Sequence, residues 1–240
     1  MNKYEERTYR SLIHQGNLLS YNVKIAESDL LISSDINLYN EALTSLARHR
    51  HALEMYIKKR PEFQTSLWPL PEDNLAPPVV KEMLLQAKKC GVGPMAGVAG
   101  AISEFVAYDL FGFTENLIIE NGGDVFLKSS KDLTVSVFAG ESPLSHRINF
   151  IARAVESPVG ICTSSATVGP SISFGKADAV CVIAQSATLA DAAASAIGNR
   201  VKNKKDIKST LDYGMKIQGV SGLIIAFGNE MGAIGDIELV

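Results

Sequence analysis

The chain has few of the residues that most often announce a chemistry. Its three cysteines, Cys90, Cys162 and Cys181, are too sparse and too widely spaced for a disulfide framework, and no CxxC pair is present to hold zinc. There are 4 histidines. His49 and His51 lie two apart on a helical pattern and point in different directions, so they cannot chelate together. No HExxH, GxSxG or EF-hand loop occurs. Neither charge is in excess: 23 Lys and Arg face 26 Asp and Glu, for a formal net charge of -3. That gives no general attraction to nucleic acid. No apolar run reaches the roughly 18 residues of a membrane span. The opening residues MNKYEERTYRS form neither an apolar signal core nor a lipobox, so the expected location is cytoplasmic. What is present is 240 residues at 46% hydrophobic and 20% charged, a globular composition that excludes disorder and fibrous repeats.

Periodicity divides the chain into strands and helices. Tyr21, Val23 and Ile25 alternate as in a strand, and residues 29–33 continue as a second. Leu38 to Lys59 has helical spacing, with Asp35 or Asn37 to cap it and Pro61 to stop it. Residues 66–78, SLWPLPEDNLAPP, carry four of the 9 prolines and must be a loop. Pro78 opens a helix that ends at Gly91. The small-sided stretch 94–111 keeps an i, i+3, i+4 apolar pattern and predicts a buried helix. Strand-like runs follow at 117–120, 124–128, 134–139, 147–154, 159–163 and 179–184, then helices at 188–201 and 206–216, then strands at 223–227 and 233–240. The expected fold is α+β, a mixed sheet packed with helices. Residues 1–240 are expected to form a single domain containing the proline-rich loop.

Two familiar phosphate motifs fail. Gly91-Val92-Gly93-Pro94-Met95-Ala96-Gly97 has one residue too many before its third glycine and follows a helix rather than a strand. Gly169 to Lys176 has five residues between its glycines where a P-loop has four, and Ala177 where Ser or Thr is needed. Three polar segments remain. Glu120-Asn121-Gly122-Gly123-Asp124 sits between two apolar runs; Asn-Gly suits a type I′ hairpin, and its acids could meet a metal or a ribose hydroxyl. Residues 160–178 are crowded with Thr163, Ser164, Ser165, Thr167, Ser171 and Ser173, whose hydroxyls and amides suit phosphate, although such residues also simply make loops. Thr188 and Asp191 resemble a capping pair. Asp191 and Ser195 also lie four apart on one helix face, where a carboxylate and a hydroxyl could hold magnesium. His146 is the one histidine in this glycine-rich half, and a structural role suits it better than a catalytic one.

These segments resemble the ApbE family of magnesium-dependent flavin transferases, through IIENGGDVFL at 118–127, VGICTSS at 159–165 and LADAAAS at 189–195. The wording of nearly the whole chain is similar to the uncharacterised ApbE-like branch, for example in VGPMAGVAGAISE at 92–104, FAGESPLS at 138–145 and SFGKADAV at 173–180. The resemblance implies a polar cleft that binds FAD, FMN or a related pyrophosphate nucleotide, with magnesium. It assigns the nucleotide to Asn121, Gly122, Gly123, Thr163, Ser164 and Ser165, and the metal to Asp124, Asp191 and Ser195, where Ser195 stands in place of the family's threonine. The alternative it implies is catalysis: transfer of FMN or pyrophosphatase action on FAD. The transferases' histidine-rich segment is PSISFGKADA here, without histidine, and Ala166 and Pro170 depart from the usual glycine and histidine. A small-molecule partner is expected, with neither nucleic acid nor membrane, and a homo-oligomer is left open.

Overall fold

The computed structural model describes residues 17–165 and 174–240. Its first strand, β1 (Leu19–Ile25), turns at Ala26 into β2 (Ser28–Ser34), whose seven residues are all buried. Helix α1 (Tyr39–Lys59) follows. Neither Asp35 nor Asn37 is its N-cap residue, which is Leu38; the Asn37 side chain accepts from the Tyr39 amide. Asp35 instead receives the amides of Glu115 and Asn116 and the Thr114 hydroxyl, tying the start of α1 to a distant loop. A short helix, α2 (Glu62–Thr65), precedes the proline-rich loop. Pro78 opens α3 (Pro78–Cys90), and Gly91 ends it with φ +71°. The small-sided stretch begins as a 3-10 turn (Pro94–Gly97) and continues as α4 (Val98–Leu110).

The remaining strands are β3 (Leu117–Asn121), β4 (Asp124–Lys128), β5 (Leu133–Ser136), β6 (Asn149–Ala152), β7 (Val159–Ser164) and β8 (Ala179–Ala184). Helices α5 (Ala187–Gly198) and α6 (Asp206–Gly214) lead to β9 (Val220–Phe227) and β10 (Glu230–Gly235). The architecture is α+β, as the sequence implies. Eight strands form an antiparallel sheet in the order β1-β2-β3-β4-β7-β8-β9-β10, and β5 and β6 form a separate pair. The last strand ends earlier than its apolar pattern suggests. Asp236 still donates its amide to Ser221 of β9, but the residues after it leave the large sheet, and Glu238 and Val240 bond to Ile151 and Asn149 of β6.

Strand alternation gives the sheet two apolar faces. Val180 and Val182 of β8 and Leu223 and Ile225 of β9 join α1, α4, α5 and α6 in one core. Ala179, Cys181 and Ile183, with Ile224 and Ala226, face the β5–β6 pair on the other side. A smaller cluster of Leu53, Phe63, Val80, Met83 and Ala101 joins the first four helices. Among the described residues, no single helix is long and apolar enough to cross a membrane.

Candidate functional site

The β3–β4 hairpin carries the first polar segment to the end of the sheet. Asn121 pairs with Asp124, so the two turn residues are Gly122 and Gly123, with φ of +72° and +103°. The tight turn expected from the sequence is there, but one residue further on than Asn121-Gly122. Both glycines hold left-handed backbone that L side chains rarely adopt. Asn121 is free of the turn and donates its amide to the Ala99 carbonyl at 3.2 Å. The Gly123 amide donates to Glu120 Oε1 at 2.8 Å.

Pairing of β4 with β7 continues this arrangement. The register Val125↔Ile161 places Asp124 opposite Cys162 and Gly123 opposite Thr163. Asp124 faces the helices, as Phe126 does two residues on. It accepts from the Thr163 amide and lies beside the Cys162 thiol, which donates to the Ala187 carbonyl at 3.4 Å. The Thr163 side chain belongs to the opposite face, bonded to the Cys181 thiol. Thr163 therefore offers Asp124 its backbone rather than its hydroxyl. Ser164 returns to the helix side, where a Cβ at Gly198 would lie 3.6 Å from its Oγ. Ser165 follows at the end of β7. Thr167, Ser171 and Ser173, with Ala166 and Pro170, lie outside the described residues.

Asp191 reaches the same place from α5. Along α5 and its C-cap, only Asp191, Ser195 and Asn199 are not fully buried, and they recur every four residues as one polar stripe. Asp191 Oδ2 accepts the Gly100 amide at 3.0 Å, and Ala99 donates a second amide to the same carboxylate. It therefore sits at the positive end of α4, where free amides favour a negative charge. The expected capping pair is replaced. Ser186 caps α5 by accepting from Leu189, and Thr188 turns to Glu104.

Asp124 and Asp191 are close enough to repel. Burial pushes Asp124 well above the usual carboxylate range, and the Asp191 charge adds to this; the neighbouring Cys162 thiol and the Thr163 amide oppose it. Burial raises Asp191 to about 7 against the two amides. Burial and both carboxylates also push the Cys162 thiol well up, so it stays protonated and is no soft metal ligand. Among the described residues, no three His, Cys, Asp or Glu side chains converge as a ready metal cage. The donor set is two mutually repelling carboxylates and the Ser195 hydroxyl one turn along α5. That set is hard and oxygen-only, and it suits magnesium, which usually takes one or two carboxylates and completes its shell with water and phosphate.

Glu104 is a residue that the sequence reading passed over. It is 2% exposed, and its Oε2 accepts from Ser186 Oγ, Thr188 Oγ1 and the Thr188 amide at 2.8–2.9 Å. Its Oε1 accepts from Tyr108 at 2.8 Å. Glu104 of α4 thus holds the start of α5, while Asp191 of α5 holds the start of α4. The available signal was a glutamate inside the small and apolar stretch 94–111.

His146 lies elsewhere. It follows the turn after Phe138, stacks on that ring at 5.2 Å, and donates its amide to Val137 beside the β5–β6 pair. Asp124 faces the opposite side of the sheet. Two hollows among the described residues lie away from the carboxylates. One of about 440 Å³ is lined by Arg200, Lys202, Asp206 and Tyr213, and one of about 190 Å³ lies beside Arg153. The carboxylates carry the chemical signal and the hollows do not, so the carboxylate end of the sheet is the candidate site.

A family model described as AbpE bacteria matches residues 10–220. A UPF0280 protein of Methanococcus aeolicus is 39% identical over 221 residues, spanning 90% of this chain and 89% of the relative. A UPF0280 protein of Methanocaldococcus jannaschii is 38% identical over 223 residues, spanning 90% and 91%. Two solved structures share the fold. The apo flavinyl transferase ApbE of Pseudomonas stutzeri has a TM-score of 0.52 at 10% identity, over 91% of this chain and 94% of that one. The ApbE protein of Thermotoga maritima has a TM-score of 0.55 at 12% identity, over 90% and 96%.

Proposed function

The chain belongs to the ApbE-like UPF0280 family, and on that premise we propose that its carboxylate end binds a flavin nucleotide through its pyrophosphate, together with magnesium. The observation that carries this reading is the Asp124–Asp191 pair: two carboxylates brought close together, both pushed toward protonation, with the Ser195 hydroxyl one turn along α5. A divalent cation between them relieves the repulsion and neutralises pyrophosphate charge. Asp124, Asp191 and Ser195 are its ligands in this reading. Gly122 leaves backbone open at the rim, Gly123 makes the turn with its amide held by Glu120, and Ser164 and Ser165 close the other side with hydroxyls. Asn121 fixes the hairpin against Ala99. The flavin comes from the fold neighbours, one of which is the flavinyl transferase ApbE of Pseudomonas stutzeri.

The test is calorimetric titration of FAD into metal-free protein with and without magnesium, on wild type and Asp191→Ala. Mass spectrometry of the small molecules that copurify accompanies it. Binding that needs magnesium and is lost in Asp191→Ala is expected. Binding indifferent to both, or none at all, defeats the proposal.

A second reading is chemistry on the bound nucleotide, as an FMN transferase or an FAD pyrophosphatase. The retained carboxylate pair favours it. Against it, residues 165–178 contain no histidine to serve as a base, and His146 is on the other face of the sheet. Incubation with FAD and magnesium, followed by chromatography for FMN and AMP, separates the readings. Turnover below about 1 per second, the low end of ordinary enzymes, is expected.

A further inference from the structure

Trp68 is the only tryptophan of the chain, and it stands 74% exposed beside Leu67 at 53%. Its loop is firmly held. The Ser66 hydroxyl donates to the Trp68 carbonyl at 2.7 Å and accepts from the Trp68 amide at 3.2 Å. Ser66 lies so tightly on Gly93 that a Cβ there would be 1.8 Å from its carbonyl oxygen. Further along, Asp73 accepts from Tyr56 of α1, and Glu72 pairs with Lys88 of α3. A large apolar side chain on a pinned backbone is exposed by construction and not by fraying.

Its place in the fold suggests what covers it. Helix α1 runs antiparallel to α4: Ser45 and His49 meet Asp109, His49 packs on Phe105, and Leu53 shares a cluster with Ala101. Helix α1 therefore ends where α4 begins, which is where Asp191 accepts the Gly100 amide. The short helix α2 follows α1 at that end, and the loop at 66–77 leaves it there. Gly93, beneath Ser66 and Leu67, starts the segment whose Gly97 abuts Thr188 and Ala192 of α5, next to Asp191.

We propose that Trp68 stacks on the planar flavin ring of the nucleotide whose phosphates lie at Asp124 and Asp191. This rests on the reading of the site given under Proposed function. An indole offers a broad, polarisable face to a flat aromatic system. Because the loop is already ordered, little conformational freedom is lost on binding. The carboxylates engage the charged end of the ligand, and Trp68 its flat end.

The experiment compares affinities for FAD and for ADP, each with magnesium, in wild type, Trp68→Ala and Trp68→Phe. Trp68→Ala should weaken FAD roughly tenfold or more, the scale of a lost aromatic stack. ADP, which has no flavin, should change by less than about twofold, as for a surface change away from any contact. Emission of bound flavin should be quenched in wild type and recover in Trp68→Ala, with Trp68→Phe in between. The exposed side chain can be removed without opening the core, and an unchanged melting temperature confirms this. Unchanged FAD affinity in Trp68→Ala overturns the stacking role while leaving the site reading intact. Equal losses for FAD and ADP overturn the assignment to the flavin ring. A change in molecular mass at constant FAD affinity shows that a second copy of the chain covers Trp68, and overturns it too. If neither nucleotide binds wild type, this proposal fails together with the reading beneath it.

Discussion

At the scale of residues, the carboxylate pair sets the pH response. Asp124 and Asp191 hold protons more tightly folded than unfolded, because burial disfavours both charged forms and the Asp191 charge adds to this at Asp124. The folded protein thus binds more protons than the unfolded chain between the ordinary carboxylate value of 3.8 and the value of about 7 at Asp191. Their contribution to stability is fullest below that window and is lost as pH rises through it. Metal-free protein is expected to melt lower at pH 7.5 than at pH 5. Asp124→Asn should flatten that slope and stabilise the metal-free protein at pH 8 by about 1–2 kcal/mol, by removing one like charge. Magnesium should stabilise wild type at pH 8 more than Asp124→Asn. Thermal melts in chelator and in magnesium check all three, and a wild-type slope of the opposite sign would remove the repulsion from the account. The two acids were legible in the sequence as candidates. Their proximity was not, because it joins a hairpin to a helix over 60 residues later in the chain, across pairings that no local pattern encodes.

At the scale of elements, α4 and α5 depend on each other at their starts. Glu104 holds the beginning of α5, and Asp191 that of α4, with Gly97 and Gly100 letting the helices close. A Cβ at Gly100 would lie 2.2 Å from the Ala187 carbonyl oxygen and 2.9 Å from Asp191 Cβ. Helix propensity alone says that Gly100→Ala stabilises by about 1 kcal/mol. The packing says the reverse, and the packing should win: a loss of about 2–3 kcal/mol, as for overfilled cores. A denaturant midpoint that stays put or rises would show that the helices separate easily. The small residues of 94–111 predicted this closeness, since only glycine and alanine let two backbones approach. The helix ends at Pro78 and Gly91 were equally readable, because each fixes a backbone angle. The Thr188–Asp191 capping pair misled for a physical reason: the spacing fits a cap, but Glu104, a buried carboxyl group from another helix, competes for the Thr188 hydroxyl and its amide.

At the scale of the whole molecule, the strand runs were visible in the sequence, but their order was not. Periodicity shows that residues 124–128 and 159–163 are strands, and cannot show that they are neighbours. The intervening β5–β6 pair folds onto the far face, which brings β7 back against β4 and Cys162 opposite Asp124. The same order predicts which parts let go first. Strands β1 and β10 are the borders, each paired on one side and largely exposed, whereas β8 lies between β7 and β9 with every residue buried. In deuterated buffer, amides of β7 and β8 should exchange last, near the limit set by global unfolding, and those of β1 and β10 orders of magnitude sooner. Uniform exchange across the sheet would contradict this. The carboxylates hang from the slow interior: Asp124 opposite β7, and Asp191 on the helix laid along it. Fluctuations that loosen the borders therefore leave the site assembled, and its lifetime is that of the molecule's last structure to open.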